Sequence, residues 1–134
     1  MASIRREVVI HSAAEEVWDA LRDVGALHER LVPGFVISCA LEGDVRTVTF
    51  FNGMIAKELI VAVDDLAKRV VWSAVGGRLT HHNASAQVHR LEAESCRVEW
   101  IADLLPNELA PAIAGMIEQG LAAMKRHAER ESAA

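Results

Sequence analysis

The chain of 134 residues has few basic residues and no long apolar run, and both absences exclude classes of function. Nineteen aspartates and glutamates outweigh fourteen lysines and arginines, so the net charge is −5 and there is no basic stripe. Nucleic acid and anionic membrane surfaces, which bind basic patches, are therefore not expected as partners. The first residues are charged and lack an apolar run long enough for export or a membrane span, which favours a cytoplasmic protein without stable membrane insertion.

The motifs of nucleophilic, phosphate-binding and metal-binding sites are also missing. The sequence has no G-x-S-x-G elbow, no glycine-rich phosphate loop and no C-x-x-C pair. Its two cysteines, Cys39 and Cys96, do not have the spacing of metal ligands, and so few cysteines fit a reducing compartment. No cofactor is expected.

Three of the six histidines lie in one stretch, RLTHHNASAQVHRL at 78–91, which raises the question of a metal site. The stretch has the pattern of a strand, on which neighbouring side chains point to opposite faces. His81 and His82 then cannot share an ion, and His81 and His89 would be about 26 Å apart on their common face. Because zinc needs its ligands within about 2.3 Å, no metal site is predicted.

The first 34 residues predict a strand and two short helices. The strand ends in the apolar run VVIH, and Ser12 and Glu15 have the spacing of a capping box for the first helix. Asp23 is expected to cap the second helix, which Pro33 and Gly34 terminate.

The remainder predicts six strands and a long helix. Short turn signals separate the six apolar runs between residues 35 and 105, and the strongest is Asn52 followed by Gly53, so the strands are expected to be antiparallel. Pro106 opens a helix to about His127 with an apolar stripe. The prediction is a single α+β domain at 1–130, whose sheet buries one face against the C-terminal helix, and a disordered tail at 131–134.

Alternation along the strands indicates which side chains face that helix. In the histidine stretch the inward set is small and apolar apart from one histidine, and the neighbouring run at 68–75 is apolar on both faces. The residues expected to face inward on these two strands are His82, Ala84, Ala86 and Val88, and Val70, Trp72 and Ala74.

Alternation does not decide the inward face of the runs at 45–51 and 54–63. In the second run the set containing Ile55, Leu59 and Val61 is the more hydrophobic, but the alternative set contains Glu58. In the first run Arg46 belongs to one of two similar sets. Both choices stay open on the pattern alone, as does the side on which Asp103 lies.

At the level of the whole chain, the segments FVISC, KELIVAVDD, VVWSAVGGRL and RVEWIADLLP, followed by the terminal helix, resemble the START-like helix-grip superfamily. Its members include bacterial polyketide cyclase/dehydrase-type proteins, birch-pollen-allergen proteins and plant abscisic-acid receptors. The resemblance implies a curved seven-stranded antiparallel sheet around the long C-terminal helix, with two short helices after strand 1 and a hydrophobic cavity between sheet and helix.

The resemblance also implies site residues. It places Glu58 and Arg46 in the cavity, matches His82 to a pocket tyrosine and Trp72 to a pocket aromatic, and puts Ile37 where the receptors have a ligand-anchoring lysine. Glu58 could form a structural ion pair with Arg46, anchor a ligand or transfer a proton, and His82 could be a wall residue or a general base. The full set of expected ligand-binding residues is Ile37, Arg46, Val48, Phe50, Glu58, Ile60, Trp72, Ala74, His82, Ala84, Ala86, Trp100, Ile113, Met116 and Gly120.

Three functions are compatible with these features. The favoured one is binding of a small hydrophobic or amphipathic molecule, such as a lipid, polyketide or aromatic metabolite, by a monomer or homodimer. The alternatives are an enzyme of the cyclase or dehydratase type that uses Glu58, His82 and Arg46, and a protein-interaction module. Binding predicts that Ala84 and Gly120 face each other across a void of roughly 300 Å³ or more.

The first testable prediction concerns the cysteines. The resemblance puts Cys39 on the opening edge strand and Cys96 on the last strand, whereas a disulfide needs Cα atoms within about 7 Å. Thiol titration under denaturing, non-reducing conditions should therefore count two thiols per chain, and a count of zero would overturn the proposed strand order.

Overall fold

The chain folds into one seven-stranded sheet and one long helix with short helical turns between them. The computed structural model describes residues 1–133. The strands are β1 (Ala2–Ile10), β2 (Val36–Glu42), β3 (Val45–Phe50), β4 (Ile55–Asp64), β5 (Arg69–Val75), β6 (His81–Glu92) and β7 (Ser95–Leu105). The helical elements are α1 (Ala14–Arg22), a π-helical turn (Leu27–Leu31), a 3₁₀ turn (Asn107–Leu109) and α2 (Ala110–Ala133).

All neighbouring strands of the sheet are antiparallel, in the order β1-β7-β6-β5-β4-β3-β2. The short turns between β2 and β7 produce this order directly, because strands joined by tight turns pair with each other. Bulges interrupt the pairing in β2, β4 and β6, and a bulge bends its strand. The curved sheet packs against α2, so the predicted helix-grip architecture is confirmed.

The predicted helix caps after β1 are wrong. Helix α1 begins after Ala13, which has no side-chain capping bond, and Ser12 instead lies 2.7 Å from the hydroxyl of Ser132 on α2. The second helix is only the π-helical turn. Asp23 does not cap this turn, since the N-cap position is Ala26; the Asp23 carboxylate accepts a hydrogen bond from Arg30 at 3.0 Å. Neither residue therefore makes the capping contact that its position in the sequence suggested.

The long helix differs from its prediction at both ends. Pro106 precedes the 3₁₀ turn, and α2 itself begins at Ala110 and continues to Ala133 instead of ending near His127. Residues 131–133 are therefore helical, whereas the sequence predicted a disordered tail for 131–134. Residue 134 lies outside the described residues.

The structure decides the strand faces that the pattern left open. Arg46 on β3 and Glu58 on β4 are buried on the inner face, so the assignment implied by the resemblance holds. The more hydrophobic set of β4, represented by Ile55, Leu59 and Val61, lies exposed on the outer face. Cys39 and Cys96 are free thiols on β2 and β7, which four other strands separate.

A close contact between α2 and the sheet replaces the void expected at Gly120. A Cβ atom added to Gly120 would lie 2.9 Å from Cζ3 of Trp100 and 3.2 Å from Cε2 of Phe35. The missing side chain of Gly120 therefore allows two aromatic rings to lie against the helix backbone. By contrast, Gly115 on the same helix has no atom within 4 Å of the equivalent position.

This difference between the two glycines predicts opposite effects of the same substitution. Gly115→Ala should leave stability unchanged or raise it by up to about 1 kcal/mol, because alanine is the better helix former. Gly120→Ala gains the same propensity but must displace the partly buried indole of Trp100, which costs typically about 1–3 kcal/mol. Urea denaturation of both variants isolates the steric cost, and equal stabilities would refute the close contact.

Candidate functional site

An apolar cavity lies between the inner face of the sheet, α2 and the segment that follows α1. Its volume is about 160 Å³. Met54, at its edge, is about half exposed, so the cavity reaches the surface there. Its lining consists of Leu21, Leu27, Leu31, Val32, Phe35, Val36, Arg46, Val48, Phe50, Met54, Ala56, Glu58, Val70, Trp72, Ala74, Leu79, His82, Ala86, Trp100, Ala102, Ile113, Met116, Ile117 and Met124.

The charged and histidine side chains of this lining form a line across four adjacent strands, which we call the polar row: Arg46, Glu58 and His82. Arg46 on β3 pairs in register with Glu58 on β4, and Glu58 pairs with Ala74 on β5. The backbone N–H of Ala74 then donates to Nδ1 of His82 on β6, at 2.8 Å. The small side chain of Ala74 therefore leaves space between a carboxylate on one side and an imidazole on the other.

The first two members of the polar row neutralise each other. Arg46 and Glu58 are 4% and 8% exposed, and Nε of Arg46 donates to Oε1 of Glu58 at 2.7 Å. Nη1 of Arg46 also donates to the carbonyl of Val24 at 3.3 Å, and the guanidinium lies 5.4 Å from the ring centroid of Trp72. A buried charge without a partner is strongly destabilising. These contacts offset the cost of removing both charges from water.

His82 occupies a point at which the pairing of β5 and β6 ends. The last paired residues are Trp72 and Ala84; beyond them, the Ser73 hydroxyl donates to the carbonyl of His82, and the His82 ring accepts the N–H of Ala74. Burial, and secondarily the neighbouring His81, lower the pKa of His82. The imidazole is therefore neutral near pH 7, with its proton on Nε2 because Nδ1 is an acceptor.

The structure places eleven of the fifteen expected binding residues in the cavity lining: Arg46, Val48, Phe50, Glu58, Trp72, Ala74, His82, Ala86, Trp100, Ile113 and Met116. The other four do not line it. Ile37 is 57% exposed beside a bulge, Ile60 packs at the border of the core, Ala84 is buried outside the lining, and Gly120 is covered by Trp100. The structure therefore does not place these four in the cavity lining. For Ala84, alternation indicated the face but not what covers it, whereas Ile37 was implied by the resemblance and Gly120 lies on α2.

The segment between α1 and β2 supplies lining residues that the sequence analysis missed. Leu27, Leu31 and Phe35 all line the cavity. The spacing of four residues between Leu27 and Leu31 is typical of one side of a helical segment, and this signal could have identified these two; Phe35 lies beyond the turn.

Two further expectations concern Asp103 and a metal site. Asp103 lies on the outer face, because its neighbours Ala102 and Leu104 are buried inward, so it neither lines the cavity mouth nor caps the helix. Within residues 1–133, no three histidine, cysteine or acidic side chains are grouped so that they could hold a metal ion. No helix in the same range is long and apolar enough to cross a membrane.

The lowered pKa of His82 predicts a pH dependence of stability. Between the ordinary histidine pKa of 6.5 and the lower folded value, the unfolded chain binds the proton more readily. The stabilising contribution is therefore complete above about pH 6.5 and declines as the pH falls through the folded pKa. Urea denaturation between pH 8 and 5 should show a smaller loss of stability for His82→Asn than for the wild type, whereas parallel curves would contradict the assignment.

Comparison with solved structures identifies the same fold in other proteins. The protein XoxI from Bacillus cereus has a TM-score of 0.83 at 22% identity, with 96% of each chain covered. Norcoclaurine synthase from Thalictrum flavum, in complex with dopamine and hydroxybenzaldehyde, has a TM-score of 0.74 at 21% identity, covering 98% of this chain and 86% of that one. The di-domain ARO/CYC BexL from the BE-7585A biosynthetic pathway has a TM-score of 0.81 at 17% identity, covering 96% of this chain and 47% of BexL.

Identities this low show the shared fold alone. No curated protein matches the sequence. Residues 1–129, however, match the protein family described as "Polyketide cyclase / dehydrase and lipid transport". The match covers nearly the whole chain, and together with the helix-grip architecture and its apolar cavity it shows that the protein belongs to this family.

Proposed function

We propose that this protein binds a small hydrophobic molecule, with its apolar part enclosed between the sheet and α2. The observation that carries the proposal is the cavity itself: a space of about 160 Å³ lined by apolar side chains apart from the polar row. Interiors are normally packed to the density of organic crystals, so a retained apolar space next to a balanced ion pair is a candidate binding site.

The size of the cavity restricts the enclosed part of the guest. The volume is about half of the roughly 300 Å³ expected from the sequence, because Trp100 fills the space beside Gly120. An engineered apolar cavity of about 150 Å³ in another protein binds benzene. The enclosed part of the guest is therefore about one ring in size. The remainder of a longer guest would extend to the surface near Met54. Norcoclaurine synthase, with dopamine and hydroxybenzaldehyde bound, offers a parallel, since each of these molecules contains one benzene ring.

Binding accounts for the polar row better than catalysis by a cyclase or dehydratase does. A histidine that acts as a general base needs a ring nitrogen with a free lone pair, but Nδ1 of His82 accepts the N–H of Ala74 and the ring proton is on Nε2. Glu58 is held through Oε1 as the partner of Arg46. A protein-interaction module predicts a filled core and an exposed apolar patch. Ile55, Leu59 and Val61 are exposed on β4, but the core retains the cavity, which favours binding. We further propose that the protein is cytoplasmic and that its cysteines are reduced.

Two alanines on the inner face of β6 provide a matched test. Ala86 lines the cavity, whereas Ala84, two residues away and equally buried, does not. Ala86→Leu should fill the cavity and weaken binding of the one-ring probe α-methylstyrene at least tenfold, with little loss of stability. Ala84→Leu should instead overpack the core and lower the free energy of unfolding by about 1–3 kcal/mol.

The measurements are NMR titration with α-methylstyrene and urea denaturation of the ligand-free proteins. A loss of stability as large for Ala86→Leu as for Ala84→Leu would mean that the cavity is ordinary packed core. Absence of binding to the wild type would likewise refute the proposed function. Mass spectrometry of a solvent extract of the purified protein should then identify the natural guest as a hydrophobic small molecule.

A further inference from the structure

The polar row contains one uncharged hydrogen-bond donor that can contact a guest, the Nε2–H group of His82. Nδ1 of His82 accepts the N–H of Ala74 at 2.8 Å, so the proton of the neutral ring is on Nε2, at the far side of the imidazole. His82 and Ala74 both line the cavity. The Nε2–H group can therefore donate to an acceptor on a guest that lies over Ala74.

The ring orientation of His82 is held by the ends of two strands. Because the β5–β6 pairing stops at Trp72 and Ala84, the imidazole takes the place of the next backbone acceptor and receives the N–H of Ala74. The Ser73 hydroxyl donates to the backbone carbonyl of the same histidine. These two contacts hold the donor in place before a guest arrives, which reduces the ordering cost of binding.

The charges of the cavity favour a neutral guest. Arg46 and Glu58 already cancel each other at 2.7 Å, and both are almost fully buried. A guest carboxylate would add a second negative charge near Glu58, and a guest ammonium would add a positive charge near Arg46. Either would leave a net charge in an apolar enclosure, where an unpaired charge is costly.

We propose that the cavity selects a neutral guest carrying a hydrogen-bond acceptor, such as a ketone or ether oxygen, on a ring-sized apolar body, and that Nε2–H of His82 recognises this acceptor. The inference rests on the proposed function, since it names the class of guest that the same cavity takes. It assigns His82 as the residue that determines specificity, and Arg46 and Glu58 as the pair that excludes ions.

Two planar probes of the same shape test the recognition: acetophenone, which has a carbonyl oxygen, and α-methylstyrene, which has a methylene group instead. Their Kd values are measured by NMR titration at pH 7.5 with the wild type, His82→Asn and His82→Gln. Asparagine can keep an acceptor for the N–H of Ala74 but has no donor at the Nε2 position, whereas glutamine can place an amide donor there. Because the probes differ in hydrophobicity, the informative quantity is the ratio of their Kd values in each protein.

The ratio of Kd for acetophenone to Kd for α-methylstyrene should rise roughly two- to tenfold in His82→Asn, the worth of one hydrogen bond, and less in His82→Gln. Benzoate should bind the wild type at least tenfold more weakly than acetophenone. In ¹⁵N-labelled wild type, acetophenone but not α-methylstyrene should shift the Nε2 resonance of His82, a measurement that needs no variant.

The outcomes separate this inference from the proposed function. If both neutral probes bind the wild type but the ratio is unchanged in His82→Asn and Nε2 does not respond, binding stands and recognition by His82 is wrong. If benzoate binds as tightly as acetophenone, the exclusion of ions is wrong. If neither neutral probe binds the wild type, both proposals fail.

Discussion

The contact between Gly120 and Trp100 is the constraint from which the geometry of the cavity follows. It brings the backbone of α2 against the indole of β7, and Trp100 packs edge-to-face on Trp72 at 5.5 Å. The ring of Trp72 in turn lies 5.4 Å from the guanidinium of Arg46, which pairs with Glu58. A continuous series of contacts thus joins the helix to the ion pair, so the position of α2 determines how much space remains beside the polar row.

The buried ion pair bears on the charge of a possible guest as well as on the fold. Arg46 and Glu58 are each other's partner in an apolar wall, and a hydrophobic pair of the same volume would often be at least as stable. Under the proposed function, the pair would act on the guest as well as on the fold, because a charged guest would leave a net charge in the cavity. The neutral imidazole of His82, two strands from Glu58, would supply a directional hydrogen-bond donor without adding a charge.

Local sequence signals predicted this fold where the chain's immediate neighbours decide the structure, and failed where distant residues compete. The turn signals, including Asn52 and Gly53, correctly separated the strands, because a tight turn forces its two strands to pair. The capping signal of Ser12 was wrong: α1 begins after Ala13, and the Ser12 hydroxyl contacts Ser132, 120 residues away, as well as Glu16. The segment after α1 was missed as part of the cavity wall: Leu27 and Leu31 have a helical spacing that could have indicated it, whereas Phe35 lies beyond the π-helical turn.

By itself the sequence determined the element order, the antiparallel pairing of the strands joined by short turns and the inward face of β6, since strand period and turn chemistry are local properties. The residue pattern left the face of β4 open, and the tertiary structure decided it as the resemblance had implied: Glu58 is buried, and the more hydrophobic Ile55 and Leu59 are exposed. Hydrophobicity favours the opposite face, but Arg46 on the neighbouring strand gives Glu58 its partner there. The volume of the cavity was likewise decided only in three dimensions, because the fit of Trp100 against Gly120 depends on how two elements distant in sequence meet.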